Sequence, residues 1–298
     1  MKTPKVGFIG FGEAAYNIAK GLKEEGISEV TAYDKFWNIE PQAAIIGKRA
    51  KDANIALAPS LAEMIEKSDF IFSAVSANLA LPLAKEAQPY LKEGKCFADL
   101  NAASPMTKEA VSEVVLETGA SFVDAAVMGP VPVYKHKVPI SVCGNGARHF
   151  QETFSAYGMD ITYMGEKPGS SSASKMFRSI FMKGFVTILL ETVIASHKYR
   201  VEDDVLSSIQ KTLEEGPFLE VINNLLTRGV IHSARREHEM EEVIATLQSL
   251  GVDYTMSEGT KNKLRWCTQM GFKEYFQGVP PQDFHQILDA YDKLTGCE

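Results

Sequence analysis

The stretch Lys5 to Ala15, KVGFIGFGEAA, constrains this chain more than any other. A short apolar run, Val6 to Ile9, leads directly into Gly10-Phe11-Gly12-Glu13-Ala14-Ala15, and a helix-compatible segment follows at once. These residue types suit a strand, a tight turn and a helix whose N-terminus faces an anion. Gly10 permits the turn, Gly12 lets a pyrophosphate approach the backbone, and small Ala15 lets helix and strand pack closely. The free N–H groups and the dipole of the first helical turn then hold the anion. A carboxylate follows at the expected distance. Asp34 ends the apolar run Val30-Thr31-Ala32-Tyr33, 24 residues after Gly10. An acid there accepts hydrogen bonds from ribose hydroxyls and repels a 2′-phosphate. The expected cofactor is therefore NAD, with NADP as the alternative because Lys35 adjoins Asp34. Gly10, Phe11, Gly12, Glu13, Ala14, Ala15 and Asp34 are the expected cofactor contacts. The competing reading is a glycine turn with a purely structural role.

The rest of the first half alternates strand and helix. Strand-like runs are Phe70–Val75, Cys96–Leu100, Ser121–Val127, Val138–Cys143 and Ile161–Met164. Helical segments intervene near 12–25, 60–67, 79–91, 104–117 and 148–157. Ser60-Leu61-Ala62-Glu63 has capping-box form, and Ser104-Pro105 reads as an N-cap followed by proline at the first helical position. This alternation predicts a doubly wound, mainly parallel sheet, an α/β Rossmann domain. In such sheets the loops after the strands face the ligand crevice, which adds Val75, Ser76 and Asn101 as expected cofactor contacts, unless they simply cap loops. The character changes at Gly165-Glu166-Lys167-Pro168-Gly169, which is turn chemistry. Beyond it strands vanish. One helical pattern of 28 residues runs from Ser170 to His197 and would extend about 42 Å. Helices near 201–214, 219–227, 233–250, 255–270 and 282–295 follow. The expected domains are thus residues 1–166, binding the dinucleotide, and 167–298, an all-α domain led by one long helix. The middle of that helix, Phe177 to Ile194, is apolar around much of its circumference, so it needs cover from other helices or a second subunit. A homodimer is expected.

Composition narrows the function classes. The 298 residues are 45% hydrophobic and 23% charged, as in ordinary globular proteins. The formal net charge of −7 argues against a nucleic-acid or anionic-membrane surface as the main role. The apolar stretch around Phe185 to Ala195 contains Glu191 and reads as too short for a bilayer span. The first strand begins so near Met1 that no signal peptide is expected. Cys96, Cys143, Cys267 and Cys297 lie far apart without a C-x-x-C, as reduced thiols of a cytoplasmic protein would. No metal-ligand spacing is present, so no metal is expected.

The opening glycine turn, Asp124-Ala125-Ala126-Val127-Met128-Gly129-Pro130, the segment around Lys175 and the stretch His232 to Met240 together resemble the β-hydroxyacid dehydrogenase and 6-phosphogluconate dehydrogenase superfamily, in a phosphogluconate dehydrogenase-like branch. The resemblance covers essentially the whole chain. It implies an NAD(P)-dependent oxidoreductase that moves hydride between nicotinamide and an alcohol or carbonyl carbon of a small polar, hydroxy acid-like substrate, phosphorylated or sugar-acid forms included. It also implies that Lys175 is the catalytic acid/base, a role a lysine fills when desolvation and positive neighbours lower its proton affinity. A solvated helix lysine is the competing reading.

The chain departs from the family at its substrate end. An asparagine usually follows the catalytic lysine by one turn, whereas this chain has Arg178 and Ser179, a stronger anion clamp beside a shorter partner. The usual substrate loop, D-x-x-V-S-G-G, becomes Asp124…Val127-Met128-Gly129-Pro130. Met128 removes a hydroxyl and Pro130 removes an N–H. Met128 is either a substrate contact with Gly129 or a core methionine. A Lys-Asp-Leu motif usually lies thirteen residues before a Gly-Val turn; counting back from Gly251-Val252 gives His238-Glu239-Met240, with Arg235 and Arg236 just before it. His238 is the expected substrate contact there, and a charged solvent face is the alternative. The substrate is expected to be an anionic small molecule. Imine reductases share the architecture but usually carry an aspartate or tyrosine at the lysine position. A non-catalytic dinucleotide sensor would explain the glycine turn but not Lys175.

Overall fold

The computed structural model describes residues 3–296, so Cys297 lies outside the described residues. The chain forms two compact units, residues 1–180 and 181–298, and each is described by itself. The first unit extends past residue 166 because the opening turn of the long helix is bonded into the sheet unit by Ser171 and Ser172.

The first unit runs β1 (Val6–Ile9), α1 (Glu13–Glu24), β2 (Val30–Tyr33), α2 (Gln42–Asp52), β3 (Ala56–Leu57), α3 (Leu61–Glu66), β4 (Phe70–Ser73), α4 (Ala80–Ala87) and β5 (Cys96–Asp99). It continues through α5 (Pro105–Leu116), β6 (Ser121–Val127), α6 (Val131–Tyr134), β7 (Ile140–Cys143), α7 (Ala147–Ser155) and β8 (Ile161–Tyr163) into the first turns of α8 (Ser170–His197). The eight strands lie in the order β3-β2-β1-β4-β5-β6-β7-β8. All neighbours are parallel except β6 and β7, which are antiparallel. The expected doubly wound, mainly parallel sheet is therefore present. Three elements were not anticipated. They are α2, β3 and the single turn α6, the last two being too short to show a period.

The central strands β1, β4 and β5 are buried along their whole length, as strands covered on both faces must be. Alternate side chains build two cores. Phe8, Phe70, Phe72 and Ala98 pack toward α1 and α7, while Ile9, Ile71 and Phe97 pack toward α3, α4 and α5. On the first face Phe72 meets Phe150 and Phe154 of α7 at ring-centroid distances of 5.2 Å, the latter edge-on. Helix starts follow the sequence signals. Ser60 Oγ accepts from Glu63 N, and Ser104 Oγ accepts from Thr107 N with Pro105 opening α5.

The second unit contains the remainder of α8, then α9 (Glu202–Leu213), α10 (Phe218–Ile231), α11 (Ser233–Ser249), α12 (Thr255–Gln269), the single turn α13 (Phe272–Tyr275) and α14 (His285–Thr295). Val230, Ile231, Phe272 and Ala290 form a small buried cluster in it. Glu191 of α8 is buried because its carboxylate accepts hydrogen bonds from Met256 N, Ser257 N and Ser257 Oγ at 2.6–2.9 Å. It thereby satisfies orphan donors at the start of α12. The helix α8 itself passes the length and composition test for a bilayer span, with a mean hydropathy of 1.6 over its most apolar 18 residues. That corrects the expectation that its apolar stretch is too short. Along it Phe177, Ile180 and Val186 are each at least 60% exposed.

Truncating Phe72 to alanine removes the ring that joins the sheet to α7. The expected cost is about 3–5 kcal/mol of unfolding free energy in denaturant melts, and a loss below about 1 kcal/mol would contradict this packing account.

Candidate active site

The strand order reverses between β1 and β4. Parallel sheets open a crevice beyond their carboxyl ends at such a point. In this chain a cleft of about 430 Å³ lies there, lined by Gly10, Gly12, Asp34, Val75, Ser76 and Leu83 among others. Gly10 adopts φ +81°, and a Cβ on it would sit 2.6 Å from the Ala74 carbonyl oxygen, so the turn requires glycine. A Cβ on Gly12 would meet nothing within 4 Å, so this face of the turn is open to a ligand. Ala15 is fully buried, as close helix–strand packing demands. Glu13 and Ala14 begin α1 with no side chain capping their backbone donors. Phe11 points into the core, and only its backbone faces the turn.

Asp34 does more than await a ribose. Its Oδ2 accepts from Phe11 N at 2.8 Å and its Oδ1 from Phe36 N at 3.0 Å, so the acid braces the glycine turn. Each oxygen keeps a further lone pair for a hydroxyl donor. Lys35 turns onto the Phe36 ring, 4.8 Å from its centroid. Ser76 is exposed on the cleft wall. Asn101 is buried and committed to the protein. Its Oδ1 accepts from Val75 N at 2.6 Å, and its Nδ2 donates to Ser73 Oγ at 3.0 Å. Asn101 therefore shapes the β4 loop. The open glycine cradle, the free helix start and the acid fit a nicotinamide dinucleotide.

Lys175 lies on the first turns of α8, half-buried. Burial first, then the positive charge of Lys108, hold its ammonium below the usual lysine range, and Asp124 opposes them. No ion pair or hydrogen bond engages its Nζ among the described residues. The pattern is that of a lysine available for proton transfer rather than one tied into a salt bridge.

Beneath it lies a cluster that sequence reading missed. Lys108 of α5 is completely enclosed. Its Nζ donates to the Asp99 carbonyl oxygen at 2.6 Å and lies 3.1 Å from Asp99 Oδ1 and 3.4 Å from Asp124 Oδ1. Asp124 in turn takes hydrogen bonds from Ser172 Oγ at 2.7 Å and Ser172 N at 3.0 Å, in the first turn of α8. Cys143 accepts from Ser171 N at 3.2 Å alongside. Burial pushes the Asp99 carboxyl up, against the pull of Lys108. A signal did exist. Lys108, Val111, Ser112 and Val115 form the buried i, i+3, i+4, i+7 stripe of α5, so a lysine occupies a core position.

The expected substrate residues divide. Met128 is partly buried and its N–H donates to the Pro139 carbonyl at 2.8 Å. With Pro130 lacking a donor, the Gly129 amide is the one left unengaged in this segment among the described residues. Arg178 is exposed and makes no ion pair among the described residues. Ser179 Oγ donates back to the Lys175 carbonyl at 3.1 Å. His238 lies in the second unit, on α11, beside Glu241 Oε2 at 3.4 Å. Arg235 pairs with Glu239 and Arg265 with Glu237, so this face of α11 carries solvated ion pairs.

Comparison with known proteins agrees with this geometry. Residues 5–165 match the family model described as the NAD binding domain of 6-phosphogluconate dehydrogenase, and residues 196–267 match a domain of unknown function, DUF1932. A conserved hypothetical protein from Sinorhizobium meliloti 1021 is 31% identical, with a TM-score of 0.65 over 98% of this chain and 97% of that one. An uncharacterized 28.5 kDa protein of Methanothermus fervidus is 28% identical over 88% of this chain and 98% of its own length. Mitochondrial 3-hydroxyisobutyrate dehydrogenase of Bos taurus is 29% identical over 61% of this chain, which spans about half (53%) of that relative. An imine reductase from Aspergillus terreus shares the fold at a TM-score of 0.75 but only 16% identity. The glycine turn, the acid after β2 and the match across the sheet unit place this chain in the family of the NAD-binding domain of 6-phosphogluconate dehydrogenase, among 3-hydroxyacid dehydrogenase-like proteins.

Proposed function

We propose that this chain is an NAD(P)-dependent oxidoreductase of the cytoplasm that interconverts an alcohol and a carbonyl on a small polar, anionic substrate. The observation that carries the proposal is Lys175, half-buried, free of an ion-pair partner among the described residues and held below the usual lysine range. A bound nicotinamide dinucleotide supplies or accepts the hydride. In oxidation, neutral Lys175 Nζ takes the hydroxyl proton as the carbon–hydrogen pair leaves; in reduction, the ammonium returns it. Arg178, exposed on the same helix, supplies the positive charge for an anionic group of the substrate. Met128 and Pro130 in place of a hydroxyl and an N–H favour a ligand anchored differently from simple 3-hydroxy acids. Asp34, with Lys35 turned onto Phe36, favours NAD.

The exposed apolar side chains along α8 support a homodimer, since a soluble chain rarely leaves such a face uncovered. Glu191, spent on α12, supports a protein rather than a lipid surface for that helix.

A spectrophotometric screen at about 340 nm, with NADH and NADPH in parallel, over hydroxy acids, sugar acids, their phosphates and the matching carbonyls tests the reading; no turnover on any compound would count against it. With a substrate in hand, Lys175→Ala should bind NADH as tightly as wild type yet lose about two orders of magnitude in rate. The wild-type oxidation rate should rise with pH with a midpoint below the free-lysine value of about 10.4, because the depressed group sheds its proton earlier. Asp34→Asn keeps an acceptor for the glycine turn but removes the charge that repels a 2′-phosphate. NADPH affinity relative to NADH, read by fluorescence titration, should improve at least about tenfold, which is about 1.4 kcal/mol. Sedimentation velocity should give twice the chain mass of 32.8 kDa; a stable monomer would remove the dimer from the proposal.

A further inference from the structure

We propose that Lys108 is a positioning residue for Lys175: its enclosed ammonium fixes the Asp124 carboxylate against the first turn of α8 and sets a positive charge behind the reacting lysine. The proposal deepens the acid/base reading of Lys175 and rests on it.

The geometry supports a device rather than a stray buried charge. Lys108 is wholly inaccessible and sits between two equally inaccessible carboxylates, Asp99 on β5 and Asp124 on β6. A triad of this kind costs several kcal/mol of desolvation per ion, and apolar residues of the same volume commonly serve stability as well or better. Stability alone therefore does not account for a lysine in the core stripe of α5. What the lysine does is occupy one side of Asp124 Oδ1, whose other partner is the Ser172 hydroxyl at 2.7 Å. With Oδ2 bonded to Ser172 N, both oxygens of Asp124 are aimed at α8. Lys175 follows Ser172 by three residues, a rise of about 4.5 Å along the helix. The same contacts that seat the helix therefore set the charge around Lys175.

The groups facing this region come from every neighbouring element. They are Asp99 on β5, Lys108 on α5, Asp124 on β6 and the Cys143 thiol on β7; Arg178 of α8 is exposed. Lys108 and Asp124 act on Lys175 with opposite sign, and both effects follow from their charge. Asp99 lies on the other side of Lys108, its Oδ1 3.1 Å from Nζ. Its Oδ2 has no hydrogen-bond partner among the described residues, so its attachment is to Lys108 and the Asn101 amide through Oδ1.

The test measures Lys175 itself and needs no substrate. The full chain is labelled with trace acetic anhydride across a pH series, and acetylation of the Lys175 peptide is read by mass spectrometry, giving the half-titration pH of that amine. Wild type should titrate below the free-lysine value of about 10.4. The double variant D99N/K108M removes the positive charge and its counter-ion together, leaves Asp124 facing α8, and should move the half-titration of Lys175 upward by about one unit. Asp124→Asn keeps an oxygen for Ser172 and removes the opposing negative charge, and should move it downward by about one unit. Opposite signs distinguish charge placement from loosened packing, which would carry both variants toward the ordinary lysine value. Thermal melts identify which variants are folded; if D99N/K108M is not, Lys108→Gln takes its place, with the same upward shift expected. A folded variant that leaves the half-titration unchanged, or that shifts it in the wrong direction, overturns the proposal. A protein that shows these shifts but turns over nothing in the substrate screen would keep the role of Lys108 and lose the dehydrogenase reading instead.

Discussion

Asp124 is the contact on which the site depends. It lies on β6, between Asp99 of the parallel β5 and Cys143 of the antiparallel β7, and both its oxygens accept from the first turn of α8. A carboxylate at a helix N-terminus satisfies orphan N–H donors and complements the helix dipole. Lys108 stands behind Asp124, 3.4 Å from Oδ1, in a position closed to solvent, and offsets part of the cost of burying the carboxylate. The long helix is therefore not simply appended after the last strand. Its first turn is welded to the sheet, and Lys175 inherits a fixed place and a fixed electrostatic environment.

The cofactor end rests on a simpler constraint. At the switch between β1 and β4 the chain must turn sharply while leaving room for a phosphate, and Gly10 and Gly12 meet those two demands separately. Asp34 then serves twice, bracing the turn through Phe11 and Phe36 and presenting acceptors to the cleft. Asn101 ties the neighbouring β4 loop to β5 with both ends of its amide. The cleft is thus shaped by side chains that bond the protein, and its free surface is mostly backbone and small residues. This suits a ligand recognised through a pyrophosphate and a ribose.

Most elements were legible in the sequence because their signals are local. Val6–Ile9 and Phe70–Ser73 read as buried strands from continuous apolar runs, and Ser60 and Ser104 announced the helices that they cap. α2 carried no comparable marker, and β3 has only two residues, fewer than any period can reveal. Within the site, the glycine turn and Asp34 were visible for the same local reason. Asn101 was noticed for its place after β5, but its part as a brace depends on Val75 and Ser73, more than twenty residues away. Lys108 left a trace, a charge on an apolar stripe, that has meaning only once Asp99 and Asp124 are seen on either side.

The sequence alone determined the doubly wound sheet, the glycine-turn cofactor site, the acid after β2 and the long helix bearing Lys175, because each is written in neighbouring residues and in a short period. Only the tertiary structure decided which charges surround that lysine. Asp99, Lys108, Asp124 and Ser172 come from four separate elements, and the pairing of buried charges is set by the register of strands and the seating of a helix, not by spacing along the chain. It decided, too, that the apolar face of α8 stands exposed while Glu191 is enclosed, since burial is a property of what packs against a helix rather than of the helix itself.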